Sequence, residues 1–99
     1  MNLNVILMRS ACSESYEQEP RDQDRNLTEA GRQDVATAAA FINALGIRLD
    51  AILASPFRRA RQTAEELFRQ LPEAPPVTTA PAIMPGAGVG ELLNAIRSQ

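Results

Sequence analysis

The chain has 99 residues, 44% of them hydrophobic and 22% charged, which is the size and composition of one small globular domain. Its net charge of −2 and pI near 5.0 argue against nonspecific binding of nucleic acid, which needs a basic stripe able to displace counterions. All ten basic residues are arginine, histidine is absent and Cys12 stands alone, so the composition reads as a cytoplasmic protein with no internal disulfide, no metal site, no cofactor, no secretory leader and no membrane span.

Leu3-Asn4-Val5-Ile6-Leu7-Met8 is a short apolar run rich in large and β-branched residues, the pattern of a buried strand in a parallel sheet, and it ends near Arg9. Residues 10–27 lose periodicity and gain charge, with Pro20 among Glu, Gln, Asp and Arg; they read as a long surface loop, and such loops often carry function. Thr28 is a suitable N-cap for a helix over 28–45, in which Val35, Ala38, Ala39, Ile42 and Leu45 recur at helical spacing before Gly46 stops it.

Leu49-Asp50-Ala51-Ile52-Leu53-Ala54 reads as a second short strand. Ser55-Pro56 then supplies an N-cap and a first-turn proline for a second helix with Ala60, Thr63, Ala64, Leu67, Phe68 and Leu71 on one face. Pro72, Pro75 and Pro76 close that helix. Val77-Thr78-Thr79 reads as a short third strand, and Pro85 to Gly90 as a loop before a last helix carrying Leu92, Leu93 and Ile96.

Strand, loop, helix, strand, helix is the order of a parallel α/β sheet with right-handed crossovers, in which ligands sit beyond the carboxyl ends of the strands. Arg9 and the run Ser55-Pro56-Phe57-Arg58-Arg59-Ala60-Arg61-Gln62-Thr63-Ala64 both fall just past strand ends, so the two basic features are expected to meet in one crevice. Three arginines at the start of a helix oppose its dipole, which fits either a solvated surface or a site for an anion such as phosphate. The competing reading of Arg9 and Arg59 is a pair of surface cations bonded to loop carboxylates. Arg25 has Glu29 four residues on as an alternative partner, and Arg58 and Arg61 are expected to face solvent or the acidic loop.

The strand ending in Leu7-Met8-Arg9, the lead-in Arg25-Asn26-Leu27-Thr28-Glu29-Ala30-Gly31 and the run from Ser55 to Ala64 together resemble the histidine phosphatase superfamily, in particular phosphohistidine phosphatases of the SixA type. The likeness covers about residues 3–70 closely and 77–97 more loosely. It implies a phosphoglycerate-mutase-like α/β fold, a three-layer sandwich with a mostly parallel sheet. It also implies that residues 1–99 are a single incomplete domain of this kind, truncated at the C-terminus. In that family a histidine after the first-strand arginine attacks the phosphoryl group, giving a phosphohistidine intermediate that water hydrolyses, while arginines neutralise the phosphoryl oxygens.

Carried onto this sequence, the resemblance implies phosphate contacts from Arg9, Arg59 and Arg25, the last at the pocket rim. It places Ser10 where the family has its nucleophilic histidine and Ala11 where the family has glycine. The family's second pocket histidine has no counterpart, since the chain contains none. A serine hydroxyl needs a general base to become nucleophilic, and Glu14 is the nearest carboxylate available for that role. Cys12 does not fit the Cys-x5-Arg pattern of cysteine-dependent phosphatases, because Glu17 and Gln18 follow it at that spacing.

The leading expectation is therefore an inactive phosphatase homologue that keeps an arginine-lined phosphoryl pocket. Its partner would be a phosphorylated protein or a small phosphate-containing molecule, with no nucleic acid and no membrane. Two alternatives stay open: a non-catalytic module that binds phosphate or a phosphorylated partner, and a structural piece forming homo-oligomers through open strand edges.

Overall fold

Thr28 starts the first long helix by geometry that its residue type dictates. It stands in extended conformation and its Oγ1 accepts the N–H of Gly31 at 3.1 Å, satisfying one of the free amides of helix α1, Glu29–Ala44. The helix ends at Gly46 in the left-handed conformation, φ 68°, with Gly46 N–H donating to Asn43 O and Ile47 N–H donating to Ile42 O. That is the pair of bonds of a Schellman motif, and the glycine is there because its φ is costly for other residues. The computed structural model describes residues 5, 6, 8, 10–84, 86 and 88–99.

Strand β1, Ile52–Ala54, leads into helix α2, Arg58–Gln70, and strand β2, Val77–Thr79, returns beside β1. The two strands are parallel, with Ile52 opposite Val77, Leu53 opposite Thr78 and Ala54 opposite Thr79. A β-α-β unit of this kind forces α2 across the sheet, which is why β1 and α2 share a core of Ile52, Ala54 and Ala64, closed by Leu49, Ala74 and Val77. One turn on along the same buried stripe of α2, Leu67 packs on α1 against Val35, Ala39 and Ile42, with Ala11, Leu49 and Leu71 at the margin. Val35 is fully enclosed. The architecture is thus α/β with a parallel sheet, as the sequence order implies. Helix α3, Val89–Arg97, follows a short 3-10 turn at Pro81–Ile83, packs mainly on that turn and has no buried residue.

Several expectations need adjustment. Val5, Ile6 and Met8 are exposed and form no strand, and among the described residues the sheet consists of β1 and β2 alone. A strand exists only through a neighbour's ladder, and no ladder reaches these three residues; the rest of the run Leu3 to Met8 lies outside the described residues. The strand expected over 49–54 is paired only over Ile52–Ala54. Helix α2 begins two residues later than Pro56, because Ser55 Oγ accepts the N–H of Phe57 at 3.2 Å and holds Ser55-Pro56-Phe57 in a turn. Phe68, expected on the buried face, is 41% exposed; it stands one residue, or about 100° of rotation, past buried Leu67 and so leaves the apolar stripe. Helix α3 starts inside the expected loop, at Val89.

Candidate functional site: an arginine pair closed by a carboxylate

The loop over 10–27 is fastened at its base before it reaches the site. Ser13 and Leu27 form an antiparallel bridge, Glu14 N–H donates to Asn26 O at 2.8 Å, and Thr28 N–H donates to Cys12 O at 2.9 Å. The Cys12 carbonyl lies so close to α1 that a Cβ on Gly31 would stand 2.3 Å from it. Glycine is required there for contact rather than for conformation.

Helix α2 holds the same loop from the other side. Gln62 Oε1 accepts the N–H of buried Leu27 at 2.7 Å and Gln62 Nε2 donates to Asn26 Oδ1 at 3.2 Å. Thr63 Oγ1 donates to Arg59 O at 2.7 Å and accepts the N–H of Ala11 at 3.2 Å. The segment next to Ser10 is thereby docked against the first turns of α2. The sequence placed Thr63 on the packed face of the helix, where it is buried, but named Gln62 only within the arginine run and gave neither side chain a bonding role. Their place inside the arginine run is the one local signal that marked them.

At the head of α2 the arginines point into the loop. Arg59 NH1 donates to the Asp22 backbone carbonyl and to Asp22 Oδ1, both at 2.8 Å, and NH2 donates to Oδ2 at 3.4 Å. Arg25 approaches the same carboxylate, with Nε at 3.1 Å and NH2 at 2.9 Å from Oδ1, while its NH1 donates to Glu14 O at 3.1 Å. Each guanidinium lies over an aromatic ring, Arg59 at 5.0 Å from the Phe57 centroid and Arg25 at 4.4 Å from that of Tyr16. Arg59 thus meets a loop carboxylate, as the competing reading of it has, but the two side chains are only 15% and 16% exposed and are largely enclosed.

Asp22 Oδ1 also receives the Tyr16 hydroxyl at 3.4 Å. Burial pushes the Asp22 carboxyl up, but the hydrogen bonds from Arg25 and Arg59 and the charges of both outweigh it and hold the group below its ordinary value of 3.8. Asp24, two residues on, meets Arg58, which donates to its carbonyl at 3.4 Å and lies 3.8 Å from its carboxylate. The 3-10 turn Asp22–Asp24 is therefore an acidic strap across the N-terminus of α2. The first turn of α2 has no acidic residue of its own, and the Phe57 side chain makes no cap bond. The strap supplies the negative charge that the helix dipole and its arginines call for.

The expected site residues fall as follows. Arg25 and Arg59 are brought together on one carboxylate, and Arg25 pairs with Asp22 rather than Glu29. Arg9 lies outside the described residues. Ser10 is exposed. Glu14, the carboxylate considered as its base, places Oε1 2.8 Å from the Asn26 N–H and serves to hold the loop. Arg58 faces the acidic loop, and exposed Arg61 donates from Nε to Pro56 O at 3.2 Å. Cys12 is exposed, its Sγ 3.6 Å from Asp34 Oδ2. Asp22 itself was missed, although an acidic residue three before Arg25 was a usable signal.

Two open grooves, of about 290 and 430 Å³, are lined by neither Arg25 nor Arg59; one lies beside Arg48 and Glu73 and the other beside Ile6, Met8 and Phe41. Among the described residues no helix is long and apolar enough to cross a membrane.

Residues 5–84 match the model of the histidine phosphatase superfamily, branch 1. Among solved structures, the chain is similar to the protein histidine phosphatase SixA complexed with tungstate, at 25% identity and a TM-score of 0.82 over 92% of this chain and 57% of that one. It is also similar to a protein of Nakamurella multipartitia assigned as a phosphohistidine phosphatase SixA, at 29% identity and a TM-score of 0.72, covering 90% of this chain and 47% of that one. A third similar structure, assigned likewise in Agrobacterium tumefaciens, has 27% identity and a TM-score of 0.78, covering 93% of this chain and 58% of that one. The chain thus spans about half the length of these solved relatives. No curated protein matches it by sequence.

Proposed function

The chain belongs to branch 1 of the histidine phosphatase superfamily, and on that footing we propose that it binds phosphoryl groups through Arg59 and Arg25 without hydrolysing them. The observation that supports this reading is the convergence of the two arginines, from separate parts of the chain, on one carboxylate. An arrangement that gathers guanidinium donors around two carboxylate oxygens is also fit to hold the oxygens of a phosphoryl group, since the planar guanidinium fork makes paired, charge-assisted bonds to two oxygens of either. The similar SixA structure that holds tungstate, a tetrahedral oxyanion, makes the same ligand class the natural one here.

Composition supports the absence of turnover. The sequence contains no histidine to accept a phosphoryl group, and Ser10 has a neutral hydroxyl that needs a base to attack phosphorus. With the Glu14 carboxylate bonded to the Asn26 amide, that base is engaged elsewhere. A phosphorylated protein is the partner suggested by a relative described as a protein histidine phosphatase, and the role is then recognition of a phosphorylated side chain.

Phosphorus NMR reads both halves of the proposal in one sample. With phosphoramidate added to the chain, we expect broadening of the phosphoramidate line that Arg59→Ala removes, and no growth of an orthophosphate line over a buffer control. Accumulating orthophosphate would show catalysis, and a line that never broadens would show that no phosphoryl site exists.

A further inference from the structure

The Arg25–Arg59 cluster contains more positive charge than the carboxylate inside it can neutralise. Two guanidiniums share one Asp22 carboxylate, and the sharing is uneven: Oδ1 lies within 3.4 Å of Arg59 NH1, Arg25 Nε, Arg25 NH2 and Tyr16 OH, while Oδ2 accepts only a long bond from Arg59 NH2. One oxygen with two lone pairs cannot serve four donors well. A phosphoryl group, with more acceptor oxygens and up to two negative charges, would satisfy the same donors more evenly.

The element carrying Asp22 is held to α2 by arginine side chains rather than by buried packing. The turn Asp22–Asp24 has no buried residue, and both residues that flank it, Arg21 and Arg25, are extended. Its internal bonds are Asp24 N–H to Arg21 O at 3.0 Å and Arg25 N–H to Asp22 O at 3.4 Å, and neither involves the α1–α2 core. The loop's anchors, Ser13 with Leu27 and Leu27 with Gln62, lie outside the turn. The turn can therefore leave α2 while the loop base and the core stay in place.

Resting on the phosphoryl-binding reading, we propose that Asp22 is a built-in mimic of the ligand. Its carboxylate holds the Arg25 and Arg59 donors in the position a phosphoryl group takes, and the ligand binds by exchange, the 22–24 turn lifting from the head of α2 as phosphoryl oxygens replace Oδ1 and Oδ2. The exchange makes the site selective. A weakly charged anion gains too little from the two arginines to displace a carboxylate tethered beside them, whereas a phosphoryl dianion gains contact with both. Competition from Asp22 lowers apparent affinity by the fraction of time the arginines are released.

The test is calorimetric titration with tungstate at fixed ionic strength, on the unaltered chain, Asp22→Asn and Arg59→Ala, joined to amide hydrogen exchange of the unaltered chain with and without tungstate. Exchange predicts that Asp22→Asn binds tungstate about tenfold or more tightly and that the Asp24 and Arg25 amides exchange faster once tungstate is bound. If Asp22→Asn binds no tighter while Arg59→Ala loses binding, the phosphoryl site stands and Asp22 is a brace for the arginines, which overturns the inference alone. If no form binds tungstate, the proposed function falls and the inference with it. Should Asp22→Asn fail to fold, the exchange data on the unaltered chain decide: slower or unchanged turn amides contradict displacement.

Discussion

Arg59 is bonded to Asp22 twice over, through the carboxylate and through the backbone carbonyl, across a separation of 37 residues. The side-chain bond neutralises charge, and the main-chain bond fixes where the 22–24 turn lies on α2. Because Asp22 is held below its ordinary value of 3.8, it favours the folded state when ionised. That contribution is fully present above 3.8 and is lost as the pH falls through the lower, folded-state value. Unfolding of the unaltered chain and of Asp22→Asn across pH 7 to pH 3 checks this: the stability gap between them should be constant at the upper end and shrink below about pH 4. A gap that widens on acidification would show the opposite linkage.

Gln62→Ala removes the acceptor for the N–H of Leu27, a buried residue. An amide left unsatisfied there should cost roughly 1–3 kcal/mol, which in a domain of this size lowers Tm by about 4–8 °C per kcal/mol. Gln62→Glu keeps the acceptor for Leu27 but loses the Nε2 donor to Asn26 Oδ1, so it should recover only part of the loss, as read by thermal unfolding at neutral pH.

Gly31→Ala tests the close approach of the loop to α1. Alanine is the better helix former, so propensity alone predicts a gain of roughly 1 kcal/mol. The added Cβ would instead meet the Cys12 carbonyl at 2.3 Å and Leu27 Cδ1 at 2.8 Å. We expect net destabilisation of roughly 1–3 kcal/mol and weakened phosphate binding, since the displaced carbonyl also accepts Thr28 N–H and Oγ1–H. A stabilised variant would show that the loop is free to retreat.

Leu67→Ala opens the contact between α1 and α2 and should cost roughly 2–5 kcal/mol, a large part of the stability of so small a domain. Arg58→Ala should cost little, at most about 1 kcal/mol, because its side chain is 43% exposed and its carboxylate partner is 3.8 Å away. Chemical denaturation of both gives the comparison.

The parts of this fold that were legible in the sequence are those encoded locally. Thr28 and Gly46 cap α1 through atoms within a few residues of themselves, and the spacing of Val35, Ala39 and Ile42 marks the face that α1 buries. That Arg25 lies with Arg59 followed from family resemblance alone, because the topology of a parallel α/β unit spoke only for Arg9, which lies outside the described residues. The role of Asp22 did not, because a hydrogen bond between a loop and a distant helix leaves no periodic trace. The start of α2 was displaced for a related reason: Ser55 was a credible cap, yet its hydroxyl closes a turn on Phe57 and the helix begins at Arg58. Val5, Ile6 and Met8 carry the composition of a strand, but pairing depends on a neighbouring strand and not on composition.

The arginines at the head of α2 are proposed as a site for phosphoryl oxygens. Thermal unfolding in tens of millimolar phosphate, against chloride at matched ionic strength, tests it most directly on the unaltered chain, Arg59→Ala and Arg58→Ala. We expect a phosphate-specific rise in Tm that Arg59→Ala abolishes and Arg58→Ala retains. Equal melting in phosphate and chloride for the unaltered chain, or a rise that survives Arg59→Ala, would contradict it.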